Sequence, residues 1–352
     1  VKTFVVRSRA SSGAREARVV AITRATADAV TLRLSVGPLT FRAGQFVTLS
    51  VPILGRVQRR NYSVSCAEGT ASEVNITVKR VPGGAVSTFL TCHAKVGDTF
   101  GVLGPHGSFV RPQGHRGPVV LIGAGSGVTP LYSLLLTVLS GSAPADVALL
   151  YGNKSRESTI FADELDALEK AHPHLSVLHA REEMGKGPSA ARVFAGRMDA
   201  DVLARMLDSL PLVGQPDVQF FLCGPEPVRR TARELLLGRG VPAARVHEER
   251  YTSDEASAST PPQSVVFQTT SGKRVTLALL EGETLLAGAM RAGLSAPFSC
   301  TMGGCGDCRM RLILGDVVME EPNCLLPAER ARGEILGCVA RAREACVVEV
   351  RT

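Results

Sequence analysis

Four cysteines near the end of the chain have the type and spacing for iron–sulfur chemistry. Cys300, Cys305 and Cys308 fall within nine positions as C-x4-C-x2-C, and Cys338 follows after 29 intervening residues. Plant-type [2Fe–2S] centres are held by this spacing. Each iron needs tetrahedral sulfur, two bridging sulfides and two thiolates. A tight loop can wrap one side of such a centre and a separate strand can close the other. Gly303, Gly304 and Gly306 let the loop turn closely and aim backbone N–H groups at sulfur, which helps set the reduction potential. A structural zinc site is the rival, but zinc ribbons pair two C-x2-C knuckles and Cys338 has no cysteine three residues away. A disulfide is a third option, against which the crowding of three thiols in a glycine-rich loop speaks.

Two further sets of residues offer phosphate and ring chemistry. Arg60-Asn61-Tyr62-Ser63 places a cation, a flat ring and a hydroxyl close together. Alone it reads as an ordinary strand. Gly83-Gly84-Ala85-Val86-Ser87 follows, a turn that lets backbone approach a phosphate ahead of a short helix expected at 86–92. The second set is the glycine loop Gly123-Ala-Gly125-Ser-Gly127-Val128-Thr129-Pro130. It suits a dinucleotide pyrophosphate but departs from G-x-G-x-x-G, because Val128 stands where the last glycine belongs. Cys223-Gly224-Pro225 closes a later apolar run, at the strand end where open α/β sheets bind ligands. By itself Cys223 is equally a core thiol. His106, in Gly104-Pro-His-Gly107, reads as a loop histidine rather than a base.

The elements that must position these residues come in three groups. Short strands at 17–23, 30–36, 45–51 and 73–81, with polar or Gly/Pro turns between them, predict a small antiparallel barrel, and Gly104–Phe109 reads as its closing turn. From Gly117 the pattern changes to βαβ: strand 118–122, helix 131–140, strand 147–151. Helices at 161–171, 202–210 and 228–238 then alternate with strands at 175–179, 218–222 and 245–251. On the first helix Asp163, Glu164, Asp166 and Glu169 form a wet face. Residues 253–262 are a polar linker ending in Pro261-Pro262. A hairpin at 264–279, a helix at 285–292 and strands at 309–314, 335–336 and 346–351 follow, the pattern of a β-grasp. The expected limits are 15–114, 115–253 and 263–352, with a linker at 254–262.

The totals agree with two or three domains: 352 residues, 45% hydrophobic and 21% charged. The net charge of +7 lies upstream of the cysteine-rich part, whose 10 basic and 10 acidic residues cancel. Lys2, Arg7, Arg9, Arg15 and Arg18 make a basic leader, expected to be mobile through residue 13. No aromatic-interleaved basic motif accompanies it, which argues against nucleic acid. The uncharged run Gly117–Ala145 is long enough to span a bilayer, but its glycines and Pro130 point to a buried strand, loop and helix. Cys66, Cys92, Cys324 and Cys346 are expected as small core residues, and a reducing cytoplasm suits the remaining thiols.

Taken together, the motifs over 15–352 resemble the ferredoxin–NADP reductase superfamily. The likeness is to its oxygenase-reductase branch with a C-terminal plant-type ferredoxin domain. The resemblance implies an FAD-binding antiparallel barrel, a parallel α/β NAD(P) domain and a β-grasp [2Fe–2S] domain. It implies FAD contacts from Arg60, Tyr62, Ser63, Val78 and Arg80, and from Gly84, Val86 and Ser87 at the pyrophosphate. It places NAD(P)H on Gly123, Gly125, Gly127, Thr129 and Pro130, with Tyr151, Asn153 and Arg156 at the end of the second strand. Cys223, Gly224 and Pro225 would lie by the nicotinamide. An E-x-F tail covers the flavin in this family, here Glu249-Arg250-Tyr251 with tyrosine in place of phenylalanine. Ser63, Cys223 and Glu249 are the implied catalytic residues, and Cys300, Cys305, Cys308 and Cys338 the iron ligands.

The implied activity is electron splitting: NAD(P)H delivers a hydride, the flavin releases its electrons singly, and the cluster passes them on. The implied acceptor is a separate oxygenase, desaturase or cytochrome P450, served by a monomer without stable membrane insertion. A redox-sensing module and a docked subunit fed by a partner are the alternatives. Near Tyr151 no carboxylate precedes Glu157, whereas an NAD-selective site usually places one there. Lys154, Ser155 and Arg156 offer a 2′-phosphate site instead, so NADPH is expected to be accepted and mildly favoured.

Overall fold

A computed structural model describes residues 15–53, 56–141, 145–184, 192–249, 260–298, 303, 306–320, 323, 325 and 327–351, with the side chains of Arg56 and Pro327 excepted. Residues 1–14 of the basic leader, most of the linker, and Tyr251, Cys300, Cys305 and Cys324 lie outside the described residues, while Arg15 and Arg18 of the leader belong to the first strand. The chain divides into two compact units, one carrying the first two sheets and the other carrying the rest.

The first sheet is made from β1 (Arg15–Thr26), β2 (Ala29–Phe41), β3 (Phe46–Ile53), β4 (Arg56–Ser63), β5 (Gly69–Lys79) and β6 (Thr99–His106). Their order is β4-β3-β6-β1-β2-β5. The edge strands meet where Val64 bridges Ile76, and Ser65 N–H donates to the Asn75 carbonyl at 2.8 Å, so the sheet closes on itself as a barrel. Alternate residues such as Leu32, Leu34, Leu49, Val74, Ile76 and Val102 point inward and are buried. Helix α1 (Ala85–Cys92) plugs this core with Val86 and Leu90. Of the turn expected at Gly104–Phe109, Gly104–His106 instead ends β6, whose Phe100 and Val102 face the core, and Gly107–Phe109 lie beyond the strand.

The second sheet is parallel and has the order β10-β9-β8-β7-β11-β12. Its members are β7 (Val119–Ala124), β8 (Val147–Asn153), β9 (Leu175–Arg181), β10 (Val193–Ala195), β11 (Gln219–Cys223) and β12 (Val246–Glu249). Helices α2 (Val128–Leu139), α3 (Ala162–Ala171), α4 (Ala200–Asp208) and α5 (Glu226–Gly238) connect them. Two apolar cores, one on each face, bury β7, β8 and β11 on both sides, which explains their unbroken apolar runs. The uncharged run 117–145 is thereby accounted for, and no helix among the described residues is long and apolar enough to cross a membrane. Helix α4 begins two residues before its expected start because Asp199 caps it, its carboxylate accepting from Val202 N–H at 3.0 Å. The face of α3 is drier than expected. Asp166 and Glu169 are half-buried, and Glu169 accepts from Val177 N–H at 2.9 Å.

The second unit contains β13 (Ser264–Thr269), β14 (Arg274–Ala278), α6 (Leu285–Arg291), β15 (Arg309–Leu314), β16 (Val317–Met319), α7 (Pro327–Ala331), β17 (Glu334–Leu336), β18 (Ala340–Ala342) and β19 (Cys346–Val350). The five-stranded sheet runs β14-β13-β19-β15-β17, and β16 pairs with β18. First and last strands of the unit lie parallel at its centre, Val265 opposite Cys346, as a β-grasp requires. Helix α6 covers one face with Leu285, Leu286 and Ala289. Among the cysteines read as core residues, Cys346 is buried and Cys66 half-buried, but Cys92 is exposed at the last position of α1.

Candidate active site

The iron–sulfur site is described at two of its four expected ligands. Cys308 stands just before β15 and Cys338 two residues past β17. Both are buried, and their sulfurs lie 3.1 Å apart. That distance is far beyond an S–S bond of about 2.05 Å, so the two thiols face each other without a disulfide. Gly303 N–H donates to Cys338 Sγ at 3.3 Å. Gly303 has φ +71°, and a Cβ there would press on Val339 at 3.2 Å, so the loop relies on glycine to aim this N–H at sulfur. Gly337 N–H holds the Cys308 carbonyl at 2.9 Å. Paired buried sulfurs with backbone donors fit a thiolate-held cluster.

In the barrel, β4 carries Arg60, Tyr62 and Ser63, paired with Leu49, Val47 and Phe46 of β3. The exposed Arg60 donates to the carbonyl of Arg59 at 2.7 Å. Ser63 is buried, and desolvation pushes the Tyr62 hydroxyl well above its usual range, with Arg60 pulling the other way. Val78 belongs to the barrel core, so only its backbone is offered to a ligand, while Arg80 is exposed beside Cys92 at 3.6 Å. Gly84 is the N-cap of α1, and no side chain caps that end. Ser87 accepts from Val81 N–H at 3.1 Å and donates to the Gly84 carbonyl at 3.2 Å, which shapes the turn. Val86 is buried beneath it. The uncapped N–H groups at this helix start suit an anionic phosphate.

The glycine loop and the Cys223–Pro225 turn are pressed together. A Cβ on Gly127 would lie 2.4 Å from the Cys223 carbonyl oxygen and 2.6 Å from Gly224 Cα. A Cβ on Gly123 would lie 2.7 Å from the same oxygen. Cys223 is buried at the carboxyl end of β11, in register with Gly123 on one side and Glu249 on the other. Gly125 begins a short 3-10 turn, and Thr129 Oγ1 donates to the Ser126 carbonyl at 3.1 Å. Pro130 is buried in the first turn of α2, which therefore starts earlier than the apolar run suggested. Glu249, one of the implied catalytic residues, has its carboxyl pushed up to about 8 by desolvation, with Arg229 opposing.

At the outer end of this sheet the structure redistributes the expected roles. Tyr151 is fully buried and donates to the Gly125 carbonyl at 3.0 Å, so it braces the glycine loop. Arg156 meets Asp163 at 2.8 Å and Asp166 at 2.7 Å, so a phosphate would have to compete with two carboxylates. Lys154 pairs with Glu183 at 3.1 Å. Arg181, which the sequence reading passed over, ends β9 directly opposite Asn153. Its Nε, the Asn153 Nδ2 and the His179 Nδ1 are buried without hydrogen-bond partners. Desolvation, and then the charge of Arg181, push His179 down to about 4, so it is neutral at pH 7. These three atoms stand at the carboxyl ends of β8 and β9, the end at which open α/β sheets bind ligands. Only the parallel register brings Asn153 and Arg181 together, and no motif spacing signals it.

Comparison with known proteins agrees with this geometry. The chain matches the oxidoreductase FAD-binding domain over residues 16–110, the oxidoreductase NAD-binding domain over 121–234 and the 2Fe-2S iron-sulfur cluster binding domain over 268–343. It is 30% identical to one of the subunits of 1,2-phenylacetyl-CoA epoxidase from Escherichia coli (strain K12), covering 90% of this chain and 91% of that one. It is 33% identical to the ferredoxin reductase component of 3-ketosteroid-9-alpha-monooxygenase from Rhodococcus rhodochrous, over 86% and 85% of the two chains. Phthalate dioxygenase reductase shares the fold, with a TM-score of 0.65 at 22% identity over 96% of this chain and 98% of that one. Fold and site thus define an NAD(P)H-dependent oxidoreductase that uses FAD and a [2Fe–2S] cluster. The chain belongs to the ferredoxin–NADP reductase superfamily, in the branch of oxygenase reductases with a C-terminal plant-type ferredoxin domain.

Proposed function

We propose that this chain is the reductase component of a two- or three-part system, feeding electrons one at a time to a separate oxygenase, desaturase or cytochrome P450. The observation that carries the reading is the buried Cys308–Cys338 thiol pair on the same chain as the flavin and nicotinamide folds. When bound, FAD and the cluster together convert a two-electron hydride donor into single-electron transfers. The protein's part is placement. Arg60 would hold an FAD phosphate, the α1 N-terminus and Gly84 the pyrophosphate, and Tyr62 one face of the ring system. Ser63 would donate to the flavin ring, and Cys223–Pro225 would seat the nicotinamide. Cys300 and Cys305 would complete the cluster, and Tyr251 would cover the flavin. The working domain limits are 15–114, 115–253 and 263–352 around a linker at 254–262, and the working form is a cytoplasmic monomer.

Coenzyme choice falls to the end of β8 and β9. Arg181, rather than Arg156, is the better candidate for a 2′-phosphate, because Arg156 already has two carboxylates and Arg181 Nε has no partner. NADPH is accordingly expected to be accepted and mildly favoured.

The test is direct. The purified protein should be brown-yellow and bleach under nitrogen when NADPH or NADH is added, and it should then reduce cytochrome c. A protein that binds FAD and cluster but stays coloured with both coenzymes would instead be a docked subunit fed by a partner.

A further inference from the structure

Arg229 is a buried cation outside the residues read as cofactor contacts. It lies on α5, is 3% exposed, and makes two contacts that span the carboxyl end of the parallel sheet. Its Nε donates to the Gly224 carbonyl at 3.1 Å, and its Nη1 meets Glu248 Oε2 at 3.1 Å. Glu248 is held in turn by Arg233 at 2.9 Å. Glu248 belongs to β12, opposite Leu222, with Glu249 opposite Cys223. One guanidinium therefore ties the Cys223–Pro225 turn to the strand that carries Glu249.

Burying such a pair is costly, and an apolar pair of the same volume is often as stable or more so. Stability alone gives this site little reason to be ionic. Gly224 supplies another. Its φ is +138°, and a Cβ there would lie 3.0 Å from Ala124 N and 3.1 Å from Ala124 O, so the turn rests directly on the glycine loop. Within this crowded junction the Gly224 carbonyl takes its hydrogen bond from Arg229. A planar guanidinium can serve the carbonyl and the carboxylate at once in a fixed geometry.

We propose that Arg229 is a positioning residue: anchored on Glu248, it fixes the Gly224 carbonyl and so the place of the Cys223–Pro225 turn, against which the nicotinamide docks for hydride transfer. The inference rests on the reading that this turn faces the nicotinamide.

The experiment compares FAD-loaded, full-length Arg229→Met, Arg229→Lys, Arg229→Met/Glu248→Met and Cys223→Ser with wild type. Three quantities are read: Tm, the anaerobic rate of flavin reduction at saturating concentration of the faster coenzyme, and backbone deuterium exchange over residues 219–229 in the same FAD-loaded protein before coenzyme is added. Arg229→Met should lower Tm, speed exchange and slow flavin reduction roughly tenfold to a hundredfold, with a much smaller change in KM. The double variant removes both ends of the buried pair and leaves Arg233, which is half exposed, to solvent, so its Tm should recover while reduction stays slow and exchange stays fast. Arg229→Lys keeps the charge but loses the fork, and should also be slow. A double variant that regains the wild-type rate together with its Tm, or a lysine variant at the wild-type rate, would overturn the proposal. If Arg229→Met fails to fold, the double and lysine variants still decide. Slow reduction in Cys223→Ser beside a normal double variant would reject Arg229 alone. Normal reduction in both would reject the turn as the nicotinamide site.

Discussion

The nicotinamide end and the cluster end of this molecule are built on different principles. At the nicotinamide end, backbone packs on backbone: Gly127 lies so close to Cys223 and Gly224 that one added methyl has nowhere to go. Towards the two sides of the same sheet lie partly desolvated polar groups: Arg181 and a neutral His179 on β9, and Glu249 on β12, whose carboxyl is pushed up to about 8. At the cluster end the described site consists of sulfur and backbone N–H, with Cys308, Cys338 and Gly303 in contact. A reversible ligand such as a coenzyme is recognised by shape and by charge that is ready but unspent. A permanent centre is held by bonds, so its loop needs only to turn and donate.

That contrast predicts separable failures, the largest at the cluster. Cys338→Ser should remove or destabilise the [2Fe–2S] centre while FAD stays bound. Reduction of ferricyanide by NAD(P)H should survive and reduction of cytochrome c collapse. Iron and sulfide remaining at the wild-type content, with an unchanged visible spectrum, would show that Cys338 is no ligand. Gly127→Ala should do the reverse: its Cβ must displace the Cys223–Gly224 backbone, slowing flavin reduction by roughly two orders of magnitude. The cluster spectrum should be untouched, and a rate near wild type would mean that the turn can move without consequence.

Smaller effects should come from charge. Arg181→Ala is expected to lower kcat/KM for NADPH roughly tenfold to a hundredfold, the worth of a charge-assisted contact of about 1.5–3 kcal/mol, and to spare NADH. Arg156→Ala should change either coenzyme less. Selective damage to NADPH by the Arg156 variant alone would return the phosphate to the loop after β8. The smallest effect on rate concerns pH, because it acts through stability. Glu249 has a folded pKa of about 8 against an ordinary 4.5, so between those values the folded state binds the proton that the unfolded state has released. Stability from this group is present below about pH 4.5 and is lost as pH rises towards 8. Glu249→Gln should flatten that part of a Tm-against-pH curve, and an unchanged slope would place the titration elsewhere.

These cases also show what could be read before folding. The proposed cysteine ligands are legible because three of the four lie within nine residues, a spacing that suits one cluster loop. Barrel strands and βαβ units follow from periodicity in the same local way. Arg181 and Arg229 are different. One matters because parallel pairing puts it opposite Asn153, the other because α5 folds back over the turn that precedes it. Arg156 looked available until α3 supplied Asp163 and Asp166. Cys92 sits in an apolar stretch, but the helix turns it outward. Gly104–His106 carries turn residues but ends a strand whose Phe100 and Val102 face the core.

The chain leaving β4 is tied to helix α2 by two hydrogen bonds. Ser133 Oγ donates to the Cys66 carbonyl at 2.6 Å, and Glu68 N–H donates to Thr137 Oγ1 at 2.9 Å. The Glu68 carboxylate reaches back to Ala43 N–H at 2.9 Å. Gene fusion and module swapping must respect this seam. A chimaera cut near residue 115 would keep Cys66 and Glu68 but lose Ser133 and Thr137 to a foreign helix. Such a graft should carry α2 with the barrel, or restore hydroxyls at those two positions, if the flavin and nicotinamide halves are to be inherited as one working piece.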